Sequence, residues 1–386
     1  MHIGIKASFL AKPMTGIGQV TTNFLKELVR SQSNDVKLIF TLYCQEEPKL
    51  DFRLPDNFKM KVFLPWWKRD DVIRQWLWEK QLAQEAVHDG CDVFLSLYQS
   101  ATVFSRSKII RHVMLVHDMI PKLFPEDLNK WISRLHYRQI EKAISQVVHV
   151  LTPSETTKQD IVRLLNISEV NITVAPLGVD KRFFKRVDVA TLEQHLKRYN
   201  LVPGYLYHGG GLEVRKNTEA VLRTYAMLVG ENFSSLPPLV ISGKVHAETN
   251  PLATPVQRLI RELGLEGHVR LLGLVPEADL PFLYQGARMF VFPSRYEGFG
   301  LPVLEAFASE TPVITTRAGS LAELTSQGEA LVIKNTTYSE GELKEYIQKL
   351  LIQPELSVIL KTRGLARAKN YLWEAFAERV CQALIQ

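Results

Sequence analysis

Apolar residues fall in short runs along this chain, separated by stretches in which they recur at helical spacing. The runs predict strands over residues 2–9, 36–43, 61–64, 92–97, 112–116, 146–152 and 172–175. Between them the spacing predicts helices over 20–29, 71–87, 131–145 and 154–165. The pattern then restarts, with strands expected over 205–208, 238–242, 269–272, 289–292 and 312–315. Helices are expected over 217–229, 255–263, 278–286 and 301–308. Strands alternating with helices argue for an α/β fold, a parallel sheet covered on both faces. The restart argues for two such halves. The basic stretch 181–186 and the turn residues Val202-Pro203-Gly204 suit a linker between them. The expected division is 1–186 and 187–371, with an amphipathic last helix over 372–386 crossing back to the first half.

The length agrees, since 386 residues at roughly 100–200 per domain give two or three domains. Apolar residues make up 46% and charged residues 23%, with a formal net charge of +6. That composition excludes collagen-like, coiled-coil and disordered chains. The positive balance fits an anionic small molecule or an acidic membrane surface, and is too mild to indicate nucleic acid without a motif. Cys44, Cys91 and Cys381 are too far apart for a disulfide framework or a zinc site. The N-terminus reads as a strand, not a signal peptide, and no apolar run reaches the ~20 residues that span a bilayer. A cytoplasmic protein is expected.

Four segments could carry chemistry. Gly16 and Gly18 in Thr15-Gly16-Ile17-Gly18 follow the first strand. They either admit a phosphate to backbone N–H groups at a helix start or make a tight turn. His117 in Val116-His117-Asp118 stands where a strand's carboxyl end would present it to ligand, as hydrogen-bond partner, acid or base. The alternative is a histidine satisfied by local backbone bonds. Gly209-Gly210-Gly211 leads through Arg215-Lys216 into a helix, and adjacent cations at a positive helix end call for an anion such as a diphosphate. Finally, Glu297 and Glu305 bracket Gly298-Phe299-Gly300-Leu301. A carboxylate at Glu305 among apolar neighbours is costly unless hydrogen-bonded, which hints at a ligand.

With these residues in view, the chain resembles the retaining glycosyltransferases of family 4, glycosyl transferases group 1. The most specific element is Glu297-Gly298-Phe299-Gly300-Leu301-Pro302-Val303-Leu304-Glu305, the family's E-x7-E pattern. The resemblance implies a GT-B fold, two Rossmann-like doubly wound parallel-sheet domains facing across a cleft. It implies that Glu305 binds ribose hydroxyls, that Glu297 meets the donor sugar with backbone at Gly298, Phe299, Gly300 and Leu301, and that Arg215 and Lys216 neutralise the diphosphate. His117 would touch the transferred sugar, Gly16 and Gly18 would admit the phosphates, and the base would lie near Gly273 and Leu274. Gly210 departs from the family pattern, where a polar side chain is common.

The implied reaction moves a hexose from a nucleotide-sugar, UDP-glucose first and GDP-mannose next, to a saccharide or lipid-linked oligosaccharide in cell-surface polysaccharide synthesis. It needs no cofactor and no metal, in keeping with the lack of any Asp-x-Asp. A nucleotide-sugar 2-epimerase and a non-catalytic nucleotide-sugar binding protein are the rival readings. Trp66, Trp67, Lys68 and Arg69, with Trp76 and Trp78 close behind, read either as a membrane or sugar contact or as core.

Overall fold

The computed structural model describes residues 1–31, 38–67, 69, 71–104, 110–128, 130–231, 233, 236–334 and 339–385. Lys68 lies outside them. The chain divides into two compact units, Met1–Gly178 with Trp373–Gln386, and Val179–Leu372.

Among the described residues the first unit carries a seven-stranded parallel sheet. Its strands are β1 (His2–Lys6), β2 (Ile39–Cys44), β3 (Phe58–Val62), β4 (Val93–Ser96), β5 (Arg111–Leu115), β6 (His149–Thr152) and β7 (Ile172–Val174). They lie in the order β3-β2-β1-β4-β5-β6-β7. Ile3, Ile5, Phe94, Leu95, Val113 and Leu115 are buried, as strands covered on both faces must be. The last helix, Trp373–Ile385, packs on the first, Gly16–Ser31, and Phe376 meets Phe24 edge-on at 6.2 Å.

The second unit holds β8 (Tyr205–His208), β9 (Leu239–Ser242), β10 (Val269–Gly273), β11 (Ala287–Phe292), β12 (Val313–Thr316) and β13 (Leu331–Ile333). They form a parallel sheet in the order β10-β9-β8-β11-β12-β13. The order reverses direction between β8 and β11, and such switch points are where open α/β sheets bind ligands.

Two departures from the sequence expectation bear on the description of the units. The stretch expected as a linker is built into the second unit. Asp188 caps the helix Val189–Lys197 by accepting from the Thr191 amide at 2.9 Å. His195 of that helix stacks on Phe282 at 3.6 Å, and Phe183 meets Tyr284 edge-on. The first strand is also shorter than expected. It ends at Lys6, and Ser8–Ala11 turns as a 3-10 helix.

Candidate functional site

The loops after β8 and β11 bring the second unit's charged residues together. The chain leaves β8 through the three glycines, turns through Val214–Lys216 and enters the helix Thr218–Gly230. Gly210 sits at φ +87°, and a Cβ there would come within 2.9 Å of the Pro302 ring. Both the backbone angle and the space therefore demand glycine, which explains the missing side chain. The two loops are stitched by backbone: the Arg295 amide donates to the Arg215 carbonyl at 2.8 Å.

This stitching closes a cluster around one oxygen. Glu297 Oε1 accepts from Lys216 Nζ at 2.7 Å, Ser294 Oγ at 2.6 Å and Arg215 Nη1 at 3.2 Å. Oε2 has no protein partner among the described residues. Lys216 is only 4% exposed, and its ammonium also lies 4.9 Å from the Phe292 ring centre. Burial pulls the Lys216 pKa below the ordinary lysine value, and Glu297 opposes that pull. Burial would raise Glu297, but Lys216 and then Arg215 outweigh it and hold the carboxyl below the usual range. The result is a buried carboxylate with one oxygen saturated and the other open. The Glu297 backbone is pinned as well, its carbonyl accepting from the Ser320 amide and hydroxyl, each at 3.0 Å.

Glu305 lies in the helix Leu301–Ala308, which Gly300 precedes and whose first turn holds Pro302. Its Oε2 accepts from Tyr284 at 3.0 Å. Burial raises the Glu305 pKa to about 7, with the Tyr284 hydrogen bond working against the rise. Two carboxylates one short loop apart are thus pushed in opposite directions. Leu274, after β10, is 68% exposed.

The first unit places His117 just past β5. Its ring Nε2 lies 2.9 Å from the Leu97 carbonyl. A carbonyl only accepts, so Nε2 carries the proton. Burial lowers the His117 pKa to about 4, leaving the ring neutral at physiological pH. Nδ1 is then an acceptor with no protein partner among the described residues. One ring nitrogen is thus bonded to backbone, as the second sequence reading expected, and the other is an acceptor. The two glycines differ. A Cβ at Gly18 would sit 2.1 Å from the Lys12 carbonyl, and its amide already donates to Thr15 Oγ1 at 3.1 Å. Gly18 is spent on packing, whereas a Cβ at Gly16 would meet nothing within 4 Å.

The tryptophan cluster splits. Trp78 is fully buried and donates to the Phe63 carbonyl, while Trp66 is 77% exposed. No helix among the described residues is long and apolar enough to cross a membrane. Ser294, Tyr284 and Ser320 join the site without having been singled out in sequence. Tyr284 alone carried a usable signal, a hydroxyl amid the apolar residues Leu280, Phe282 and Leu283 of its helix.

Two family models match the chain: glycosyl transferases group 1 over residues 203–367, and glycosyltransferase family 4 over residues 14–183. The chain belongs to the group 1, family 4 glycosyltransferases. Among relatives of this glycosyltransferase is O-antigen chain mannosyltransferase B of Escherichia coli, 29% identical, covering 94% of this chain and 93% of that one. Another is the lipopolysaccharide core biosynthesis mannosyltransferase LpcC of Rhizobium leguminosarum bv. viciae, 34% identical over 55% of this chain and 59% of that one. Sucrose-phosphate synthase from Thermosynechococcus elongatus superposes with a TM-score of 0.78 at 16% identity, over 99% of this chain and 98% of that one. Anabaena Alr3699/HepE in complex with UDP-glucose gives 0.74 at 17% identity, over 100% and 99%. The glycosyltransferase has the GT-B fold.

Proposed function

We propose that this glycosyltransferase moves mannose from a nucleotide-sugar, GDP-mannose, onto a growing cell-surface polysaccharide, with retention and without a divalent metal. The observation that carries the reading is the convergence of Lys216, Arg215 and Ser294 on one oxygen of Glu297. Breaking a glycosyl–phosphate bond builds negative charge on the diphosphate. Pre-placed cations stabilise that charge without reorganising. Arg215 and Lys216 take this role in place of a metal, and Glu297 holds them apart from each other's repulsion while its Oε2 accepts from a sugar hydroxyl. Glu305 receives the ribose hydroxyls. His117 Nδ1 accepts from a hydroxyl of the transferred sugar, and Gly16 leaves room for the donor. The leaving phosphate oxygen takes the acceptor's proton on the face it departs from, so no separate carboxylic acid and nucleophile pair is required.

Sequence alone ranked a UDP-hexose ahead of GDP-mannose. The names of both mannosyltransferase relatives favour mannose, and the O-antigen relative spans nearly the whole chain. Exposed Trp66 beside exposed Arg69 supports an amphipathic acceptor, a glycan or its lipid-linked form. Thermal shifts with GDP-mannose, GDP, UDP-glucose and UDP test the donor. The right nucleotide at a hundredfold excess over Kd stabilises by ~2.7 kcal/mol. Transfer of labelled mannose to a mannan acceptor is then expected to persist in EDTA. Loss in EDTA with recovery in Mg²⁺ or Mn²⁺ would overturn metal independence, and sugar release without acceptor would favour an epimerase. His117→Ala is expected to cost about tenfold in kcat, the value of one transition-state hydrogen bond. The wild-type rate should show no histidine limb between pH 5 and 8, because the ring stays neutral there. A limb in that range that disappears in His117→Ala would refute the neutral-acceptor role.

A further inference from the structure

The first unit buries a second ion pair, one that no ligand can reach. Lys6, the last residue of β1, is 0% exposed, and its Nζ donates to Glu79 Oε1 at 2.5 Å and to Ser100 Oγ at 2.8 Å. The same ammonium lies 4.0 Å from the Tyr98 ring centre. Glu79, from the helix Val72–His88, is equally enclosed. Its two oxygens also accept from Gln75 Nε2 at 3.0 Å, Ser100 Oγ at 3.1 Å and the Ala101 amide at 3.2 Å, and His136 Nε2 lies 3.0 Å from Oε2. Burial would raise the Glu79 carboxyl, but Lys6 and then His136 bring it to about 2.

Such a pair is poor value as stabilisation. Desolvating both charges costs about what their attraction returns, and apolar residues of similar volume would do as well. What the pair does hold is geometry. Among the described residues, every bond to Glu79 from outside its own helix comes from Lys6, from the segment 97–102 after β4, or from His136. The 97–102 segment is also what grips His117. The Leu97 carbonyl takes the Nε2 proton, Gln99 Oε1 accepts the His117 amide at 3.3 Å, and Gln99 Nε2 donates to the Asp118 carbonyl at 2.8 Å. On the other side, Tyr98 OH meets Ser8 Oγ at 2.6 Å and its ring meets Phe9 edge-on at 4.5 Å. The turn that precedes Gly16 is therefore tied to the same hub.

We infer that Lys6 and Glu79 are positioning residues for sugar transfer: through Ser100 and Ala101 they fix the 97–102 segment, and that segment fixes His117 with its Nδ1 bare. The inference rests on the role proposed for His117, and the test separates the two. The double variant Lys6→Met/Glu79→Gln removes both charges at similar volume and should fold. Gln99→Leu is the second variant, cutting the segment's grip on His117 without touching the ion pair. Histidine labelled with ¹⁵N reports the His117 tautomer, assigned by the signal missing in His117→Gln.

The wild type is expected to show a single neutral tautomer protonated at Nε2. Both variants should show a mixture, and kcat should fall several-fold, up to the about tenfold expected when the His117 ring is removed altogether. KM for the donor should change far less, because the charged cluster of the second unit is untouched. If the His117 signals of both variants match the wild type, the positioning role is overturned, whatever happens to kcat. If the tautomers mix while kcat stays at the wild-type value, the positioning role stands and the role of His117 in transfer falls.

Discussion

Lys216→Met is expected to cost this glycosyltransferase on the order of 10²–10³ in kcat, the range for removing one preorganised group from a developing anion. The same substitution should also destabilise the second unit, and the two losses have separable causes. Without the ammonium, Glu297 remains 7% exposed and keeps only Arg215 and Ser294 at its Oε1. Breaking one side of a buried pair costs about 3–5 kcal/mol because the other charge is left stranded. The remaining partners and a protonated carboxyl place the loss toward the lower end. Lys216→Met/Glu297→Gln removes both charges, so most of the stability should return. Activity should not, since the cation that meets the diphosphate is still missing. Urea denaturation and steady-state kinetics on the single and double variants read the two effects independently. Wild-type kcat in Lys216→Met would take Lys216 out of the leaving-group role. A stability loss carried over undiminished into the double variant would mean that the stranded Glu297 charge is not its cause.

The cluster around Glu297 explains why some of the site could be read from sequence and some could not. Arg215-Lys216 at a helix start and two glutamates around a glycine turn are each anomalies on local grounds, and local grounds are all a sequence offers. That Lys216 and Glu297 form one ion pair depends on β8 and β11 being neighbours, a pairing between segments 81 residues apart. Ser294 gives no signal because serine in a strand-to-helix loop is ordinary. Gly18 was ambiguous in the sequence for a different reason. A glycine that admits a ligand and a glycine that admits a neighbouring carbonyl look alike until the Lys12 turn is in place.

Lys6 gave no signal in the sequence, because nothing local says that Glu79 and Tyr98 will enclose it. The parallel sheets were legible because doubly covered strands are almost wholly apolar. Helices Ser339–Ile352 and Pro354–Ala368 were not, because their charged faces blur the apolar spacing. The segment 179–197 was misjudged for a related reason. Its basic residues look solvated, yet Arg182 pairs with Glu277 and Leu196 is fully buried.

Glu305→Gln is expected to make the protein more stable and nearly unable to hold its nucleotide, with both effects set by pH. The wild-type carboxyl has its pKa raised by burial from 4.5 to about 7. The folded state thus holds the proton more tightly than the unfolded chain does. For an acid shifted upward, stability falls as pH rises from about 4.5 to about 7, and is constant above that. The full penalty is about 3 kcal/mol at pH 8. Glutamine keeps the shape and the Tyr284 contact without the ionisation, so the variant should exceed the wild type by about that amount at pH 8 and match it near pH 4. Binding runs the other way. Ribose hydroxyls donate to a carboxylate, and supplying those two bonds is what draws the proton off. Nucleotide affinity of the wild type should therefore climb about tenfold per pH unit up to pH 7 and level off, with one proton released per nucleotide bound at pH 6. Calorimetry in buffers of different ionisation enthalpy measures that proton directly. In Glu305→Gln the affinity should be weak and flat with pH. A wild-type affinity that is equally flat from pH 5 to 8 would show that the diol is held elsewhere. A variant no more stable at pH 8 than at pH 4, relative to wild type, would show that Glu305 is already ionised without a ligand.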